Sequence, residues 1–145
     1  MKAYYERLTG DDELARMVAA KYWSASEGSC SKLRPSPEAL ASFTKPQNAL
    51  SLARLEIHYF MNKGFIDENH ILDNMQLIRD IPSRIVHGRY DMVCPLENVL
   101  ALPRQWPEAE LHIVCESGHS ASEPGTGDAL IRATQDIAKK LEAFD

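Results

Sequence analysis

Apolar residues recur at helical spacing over roughly the first eighty positions and at strand spacing beyond them. Leu14, Met17, Val18, Tyr22 and Ala25 fall on one face of a helix. Thr9 precedes them as a capping residue, and Asp11, Asp12 and Glu13 put carboxylates at the positive end of the backbone dipole. The pattern predicts a helix from this point to about Ser26. Pro35 and Pro37 interrupt the chain. Thr44, with Gln47 three residues later, has the form of a capping box that opens a second long helix ending near Asn62, before Gly64. After Pro82 the period changes. Residues 83–87 (SRIVH) read as a strand, 88–95 as a turn-rich loop, 96–104 as a short helix and 110–115 as a second strand. A loop over 116–127 then leads into a final helix from Asp128 to about Ala143.

Strand, loop, helix, strand, loop, helix is the order of a parallel sheet, so the fold class expected is α/β. The chain should divide near Ile81, into a helical part over 1–80 and an α/β part over 81–145. RIVH and LHIVC lack the alternation of a half-solvated sheet and are expected to be buried on both faces. Functional groups in such sheets lie just past the carboxyl ends of the strands. Asp91 follows the first strand by four residues and His119 follows the second by a similar distance, so adjacent strands would present an acid and an imidazole at one edge. That combination suggests a general base oriented by a carboxylate. Spacing alone leaves a plainer reading open, in which Asp91 caps the following helix and His119 is one of five histidines on a surface loop.

Composition narrows the function classes. The 145 residues are 44% hydrophobic and 26% charged, as in a globular domain. A net charge of −5 without long runs of one sign argues against nucleic acid as a partner. No apolar run approaches the roughly 18 residues of a bilayer span, so no membrane partner is expected. Cys30, Cys94 and Cys115 are odd in number and lack metal-ligand spacing, which predicts reduced thiols, no resident metal or cofactor and a cytoplasmic location. The first fifteen residues contain no apolar core that could act as a secretion signal.

Four separated runs carry a family resemblance. The runs WSASEG and ARLEIHYF, then IVHGRYDMVCP, then AELHIVCESGHSASEP stand in the same order as in the C-terminal half of proline iminopeptidases, or prolyl aminopeptidases. The resemblance extends over nearly the whole chain. It implies an α/β-hydrolase fold, with helices of a cap domain followed by the last parallel strands and helices of the catalytic sheet. It also implies a Ser-His-Asp peptidase that releases N-terminal proline, with Asp91 as the triad acid and His119 as the base, in the chain order usual for this fold. Glu27 in WSASEG and Glu56 in ARLEIHYF correspond to the two glutamates that bind the substrate's protonated imino group. Ser26 and Ile57 depart from the Trp and Asn usual at those positions, both beside the glutamates. Cys94 matches a cysteine the family carries near its active site, and packing as a small apolar residue accounts for it equally well.

The residues speak to Glu56 separately. Ala49, Leu52, Ala53, Glu56 and Phe60 share one stripe of the second long helix, which would bury the carboxylate and demand a cationic or hydrogen-bonding partner. A substrate ammonium is one candidate, and Arg54 or another basic side chain from a neighbouring helix is the other. No serine stands in a Gly-x-Ser-x-Gly elbow, and neither Ser29 nor Ser120 has glycines on both sides at that spacing in a strand-to-helix turn. The chain is therefore expected to be the second part of an enzyme about twice as long, inactive alone, and in need of its missing half or of oligomerisation. The other readings are an esterase or amidase of the same fold, or a non-catalytic truncated module.

Overall fold

The computed structural model describes residues 1–34 and 37–142. Pro35 and Ala143, at which a break and a helix end were expected, lie outside them. Two compact units emerge: Met1–Ser29 with Arg34–Glu68, and Cys30–Leu33 with Asn69–Asp145. Residues 69–80, grouped with the helical part by pattern, pack with the second unit.

The first unit holds α1 (Lys2–Thr9), α2 (Glu13–Cys30), α3 (Pro37–Phe43) and α4 (Pro46–Met61). Both expected caps belong to other elements. Thr9 ends α1, its hydroxyl donating to the Tyr5 carbonyl at 2.8 Å, while Asp12 Oδ1 accepts the Ala15 N–H at 3.0 Å and so caps α2. Thr44 donates back to the Leu40 carbonyl at 3.0 Å, closing α3, and α4 starts instead on Pro46, whose missing N–H costs nothing in a first turn. The short α3 follows the Pro-rich stretch, which by pattern was only a break.

The buried faces also differ from the expected stripes. The core joins Leu8, Ala19, Ala20, Ala49, Ala53 and Ile57, with Tyr4, Trp23 and Leu50 packed around it. On α4 the buried row is Ala49–Ala53–Ile57, leaving Glu56 half-buried and Phe60 exposed. On α2, Leu14, Val18 and Tyr22 are exposed, because the smaller Ala19, Ala20 and Ser24 face inward. Small side chains allow close approach there: Ser24 Oγ donates to the Ala49 carbonyl at 3.2 Å. Likewise a Cβ on Gly28 would lie only 2.9 Å from the Phe43 ring.

In the second unit a short helix, α5 (His70–Asp73), precedes strand β1 (Ser83–Gly88); α6 (Leu96–Leu100) and α7 (Leu102–Gln105) lead to β2 (Ala109–Val114), and α8 (Pro124–Glu142) follows. The helix expected over 96–104 is thus two short ones. Pro103 lies in the first turn of the second, where its ring is tolerated. β1 and β2 pair in parallel with Ser83 opposite Ala109 and Gly88 opposite Val114. α8 packs against both strands. The strands are half-buried rather than enclosed, and Glu110 and His112 of β2 are exposed. The expectation of burial on both faces does not hold in this chain, whose sheet has two strands among the described residues. Arg84 and Glu110, opposite each other in the register, form an ion pair at 2.6 Å.

Pairing continues past the strand ends. The Arg89 N–H donates to the Val114 carbonyl and the Tyr90 N–H to the Ser117 carbonyl, both at 2.9 Å. At the last strand position a Cβ on Gly88 would lie 1.9 Å from the Gly118 carbonyl oxygen, a distance no side chain tolerates. Glycine is required there by the backbone of the neighbouring loop. Gly88→Ala is therefore expected to force the loops apart and cost about 1–3 kcal/mol, as overpacking does. Denaturant unfolding should register that loss, with amide protection falling at Tyr90 before the strand interior.

Candidate active site

Asp91 and His119 enter from the two loops so joined. Asp91 divides its carboxylate between two tasks. Oδ1 accepts the backbone N–H groups of Val93 at 2.9 Å and Cys94 at 2.7 Å, folding the loop into an Asx-type turn. Oδ2 faces His119 Nδ1 at 3.0 Å. The capping reading and the acid–imidazole reading thus describe different oxygens of one side chain. Its side chain is 5% exposed and that of His119 41%, so the acid is enclosed and the ring opens outward.

Burial works to raise the Asp91 carboxyl, but the Cys94 N–H, the His119 hydrogen bond and charge, and the Val93 N–H outweigh it and hold the group below its ordinary value. An ionised carboxylate only accepts, so Nδ1 of His119 must carry the proton. In the neutral ring this leaves Nε2 with the lone pair, the arrangement a general base needs.

Two further residues support this pair, and neither stood out in the sequence. His87, on β1, donates from Nε2 to the Cys94 carbonyl at 3.1 Å and lies 3.8 Å from Asp91 Oδ2, bracing the turn from the strand side. Glu123 is buried and accepts three donors: Leu33 N–H at 2.9 Å, Ser117 Oγ–H at 3.0 Å and the Gly118 N–H. Thr126 completes the set through the Ser117 hydroxyl. The Ser120 N–H donates to the Ser31 carbonyl at 2.7 Å, so the residues on both sides of His119 are tied to segment 31–33. A glutamate just before a helix reads as an ordinary N-terminal acid, which concealed its role.

A pocket of about 250 Å³ is lined by His87, Asp91, Cys94, His119, Thr126 and Leu130, among others. A larger cleft, about 470 Å³, runs along the strands and α8, but its Arg84–Glu110 and Arg132–Asp128 charges are paired with each other. The acid–imidazole pair lines the smaller one. None of the three cysteines is in a disulfide.

Glu27 and Glu56 belong to the first unit. Glu56 Oε2 accepts the indole N–H of Trp23, and the helical spacing of Trp23 and Glu27 puts them on one face of α2. Trp23 meets Tyr4 edge-on at 5.1 Å and Phe60 at 6.1 Å between ring centroids. Glu56 is half-buried with an indole partner, in place of the buried carboxylate and Arg54 partner weighed from the sequence.

Two outcomes are expected. Because its folded value is depressed, Asp91 contributes stability that is complete above the ordinary carboxylate value, near about 4, and is lost as pH falls through the lower folded value. Asp91→Asn should flatten that acid limb in unfolding midpoints measured from about pH 5 downward. Glu123→Gln turns an amide NH2 toward N–H donors and should cost about 1–3 kcal/mol. The downfield proton resonance of His119 Nδ1 should broaden or vanish with it, while an exposed control such as Glu142→Gln leaves the resonance intact.

No protein-family model matches the chain. Curated relatives do: a proline iminopeptidase of Xanthomonas citri is 48% identical over 139 residues, 95% of this chain and 44% of the relative. Proline iminopeptidases of Xylella fastidiosa and Arabidopsis thaliana are 48% and 43% identical over 92% of the chain. The chain spans less than half the length of these relatives. Among solved structures, an esterase from Exiguobacterium antarcticum superposes with a TM-score of 0.54 at 19% identity, covering 97% of this chain and 47% of its own. That likeness concerns the fold, a partial α/β hydrolase. The chain is accordingly a homologue of the proline iminopeptidases, matching a segment of less than half their length.

Proposed function

We propose that this chain is the C-terminal portion of a proline iminopeptidase, a hydrolase that releases proline from the N-termini of peptides. The Asp91–His119 hydrogen bond carries the reading, since it leaves Nε2 of a carboxylate-oriented imidazole able to take a proton. In the complete protein His119 takes that proton from a serine supplied by the part of the enzyme outside this chain. Asp91 holds the tautomer and stabilises the imidazolium, and water then hydrolyses the acyl-enzyme. Glu27 and Glu56 act as the anionic partners of the substrate's imino nitrogen, in a helical cap drawn from residues 1–80, of which 69–80 pack with the catalytic part that continues over 81–145. Trp23, Tyr4 and Phe60 supply aromatic faces that attract a cation and wall a proline ring.

The small pocket and the exposed apolar residues support incompleteness. Leu14, Leu77 and Met92 are each more than 70% exposed, as surfaces awaiting a cover would be. The missing half, or a second copy, provides that cover. Unbridged cysteines fit a reducing, cytoplasmic setting. The departures Ser26 and Ile57, and an indole already bonded to Glu56, favour as second reading an esterase or amidase with a related cap.

The complete protein decides between them. His119→Ala should lower kcat for prolyl amides by roughly 10⁴-fold or more. Glu56→Gln should lower kcat/KM by about 10–150-fold, the worth of one hydrogen bond to a charged group. Full prolyl-amide turnover in Glu56→Gln, with ester substrates preferred, would support the second reading. This chain alone should hydrolyse neither class, and labelling of Ser29 or Ser120 by a serine-directed phosphonate would overturn the proposal.

A further inference from the structure

The loop that carries Asp91 also brings a thiol to the same rim. The ligating atoms of Asp91, Cys94 and His119 all lie within 4.8 Å of one another, with the carboxylate buried and the other two side chains exposed. Asp91 and Cys94 are three residues apart in one turn, while His119 comes from the other loop. The grouping therefore follows from the parallel register and not from a cysteine-spacing motif.

We propose that Asp91, Cys94 and His119 form a binding site for a thiophilic divalent cation of the zinc class, with water completing the coordination. Donor chemistry selects the ion. One carboxylate, one thiolate and one imidazole suit zinc or cobalt and are a poor set for calcium or magnesium, which require mostly oxygen ligands. Geometry permits it. Zinc bonds of about 2.0–2.3 Å place tetrahedral ligand atoms roughly 3.3–3.8 Å apart. The Asp91–His119 edge is 3.0 Å and all three ligand atoms lie within 4.8 Å of one another, so shifts of about 1 Å close the cluster on an ion. Asp91 is preset as a ligand, because the N–H groups of Val93 and Cys94 hold Oδ1 and aim Oδ2 at the rim.

Binding takes the proton from the Cys94 thiol, which leaves to solvent; at His119 the ion replaces the proton that Nδ1 shares with Asp91, and the neutral ring carries its proton on Nε2 instead. An occupied site thus removes the imidazole from acid–base work. On the function proposed above, the ion is a reversible inhibitor and not a cofactor. The site itself rests on geometry alone, and its test measures binding without turnover, so it can fail while the peptidase reading stands, and the reverse.

The reduced chain is titrated with Co²⁺, following the thiolate-to-cobalt absorption band, and the ion is then displaced with Zn²⁺ under calorimetry. One equivalent is expected, with a band that zinc abolishes. Cys94→Ser should remove the band and weaken zinc binding by at least about tenfold, and His119→Ala should weaken it similarly while keeping the band. Cys30→Ser and Cys115→Ser should change neither quantity. Undiminished zinc affinity or a retained band in Cys94→Ser, a band lost in Cys115→Ser, undiminished affinity in His119→Ala, or no binding at one equivalent would each overturn the site. The Cys94 and His119 side chains are exposed, so these replacements leave the fold in place to be measured.

Discussion

The contact on which the second unit depends is a backbone one. Gly88 ends β1 against the Gly118 carbonyl, so close that a methyl group has no place between them. Parallel strands normally diverge into separate loops, yet here the Arg89 and Tyr90 N–H groups extend the pairing as far as Ser117. His119 is two residues beyond that last bond and Asp91 is one. Their 3.0 Å hydrogen bond is therefore a consequence of how far the loops stay paired, and less of any attraction between the side chains. The His119 ring is open to solvent, which screens its attraction to the enclosed carboxylate; a shared backbone ladder is not screened.

Burying a carboxylate is costly unless its oxygens are met by donors, and the structure meets them mostly with main-chain N–H groups. Asp91 takes Val93 and Cys94; Glu123 takes Leu33 and Gly118 with the Ser117 hydroxyl. Main-chain donors cannot rotate away, so each acid fixes a loop while it is being neutralised. The second unit consequently has a polar centre, with Ser31, Asp91, Ser117, Glu123 and Thr126 buried beside few apolar residues. The first unit is built the opposite way, on alanines, Leu8 and Ile57.

This contrast explains what could be read from the sequence. The strands and α4 were legible because they follow from periodicity, which acts over a few residues; the meeting of Asp91 with His119 was one of two readings that the grammar of parallel sheets left open, and the family resemblance favoured it. Glu123 was not, since the donor that gives it meaning, Leu33, is ninety residues away in the chain. His87 was hidden for a related reason: in a strand it counts as one more side chain, and its target is the Cys94 carbonyl, which has no signature in sequence. The caps failed locally. Thr9 and Thr44 are good capping residues, but each hydroxyl closes the helix before it. The apolar stripes failed because larger residues were assumed to face inward, whereas close packing on α2 and α4 favours alanine and serine.

The displaced stripes bear on what surrounds the chain. A helix that turns Ala19, Ala20 and Ser24 inward leaves Leu14, Val18 and Tyr22 outside, and nothing within the first unit covers them. The strands are half-buried, although their apolar sequence is that of strands enclosed on both faces. Both observations arise from one mismatch, in which the sequence carries more apolar surface than the described residues can bury. Water contact with that surface costs roughly 25 cal/mol for every Å², a penalty a stable fold does not retain without use. The polar centre around Glu123 and the loop ladder need no such cover, since their donors and acceptors are satisfied within the second unit. The acid–imidazole pair is therefore self-contained in its geometry, while the apolar surface around it is what the described residues leave uncovered.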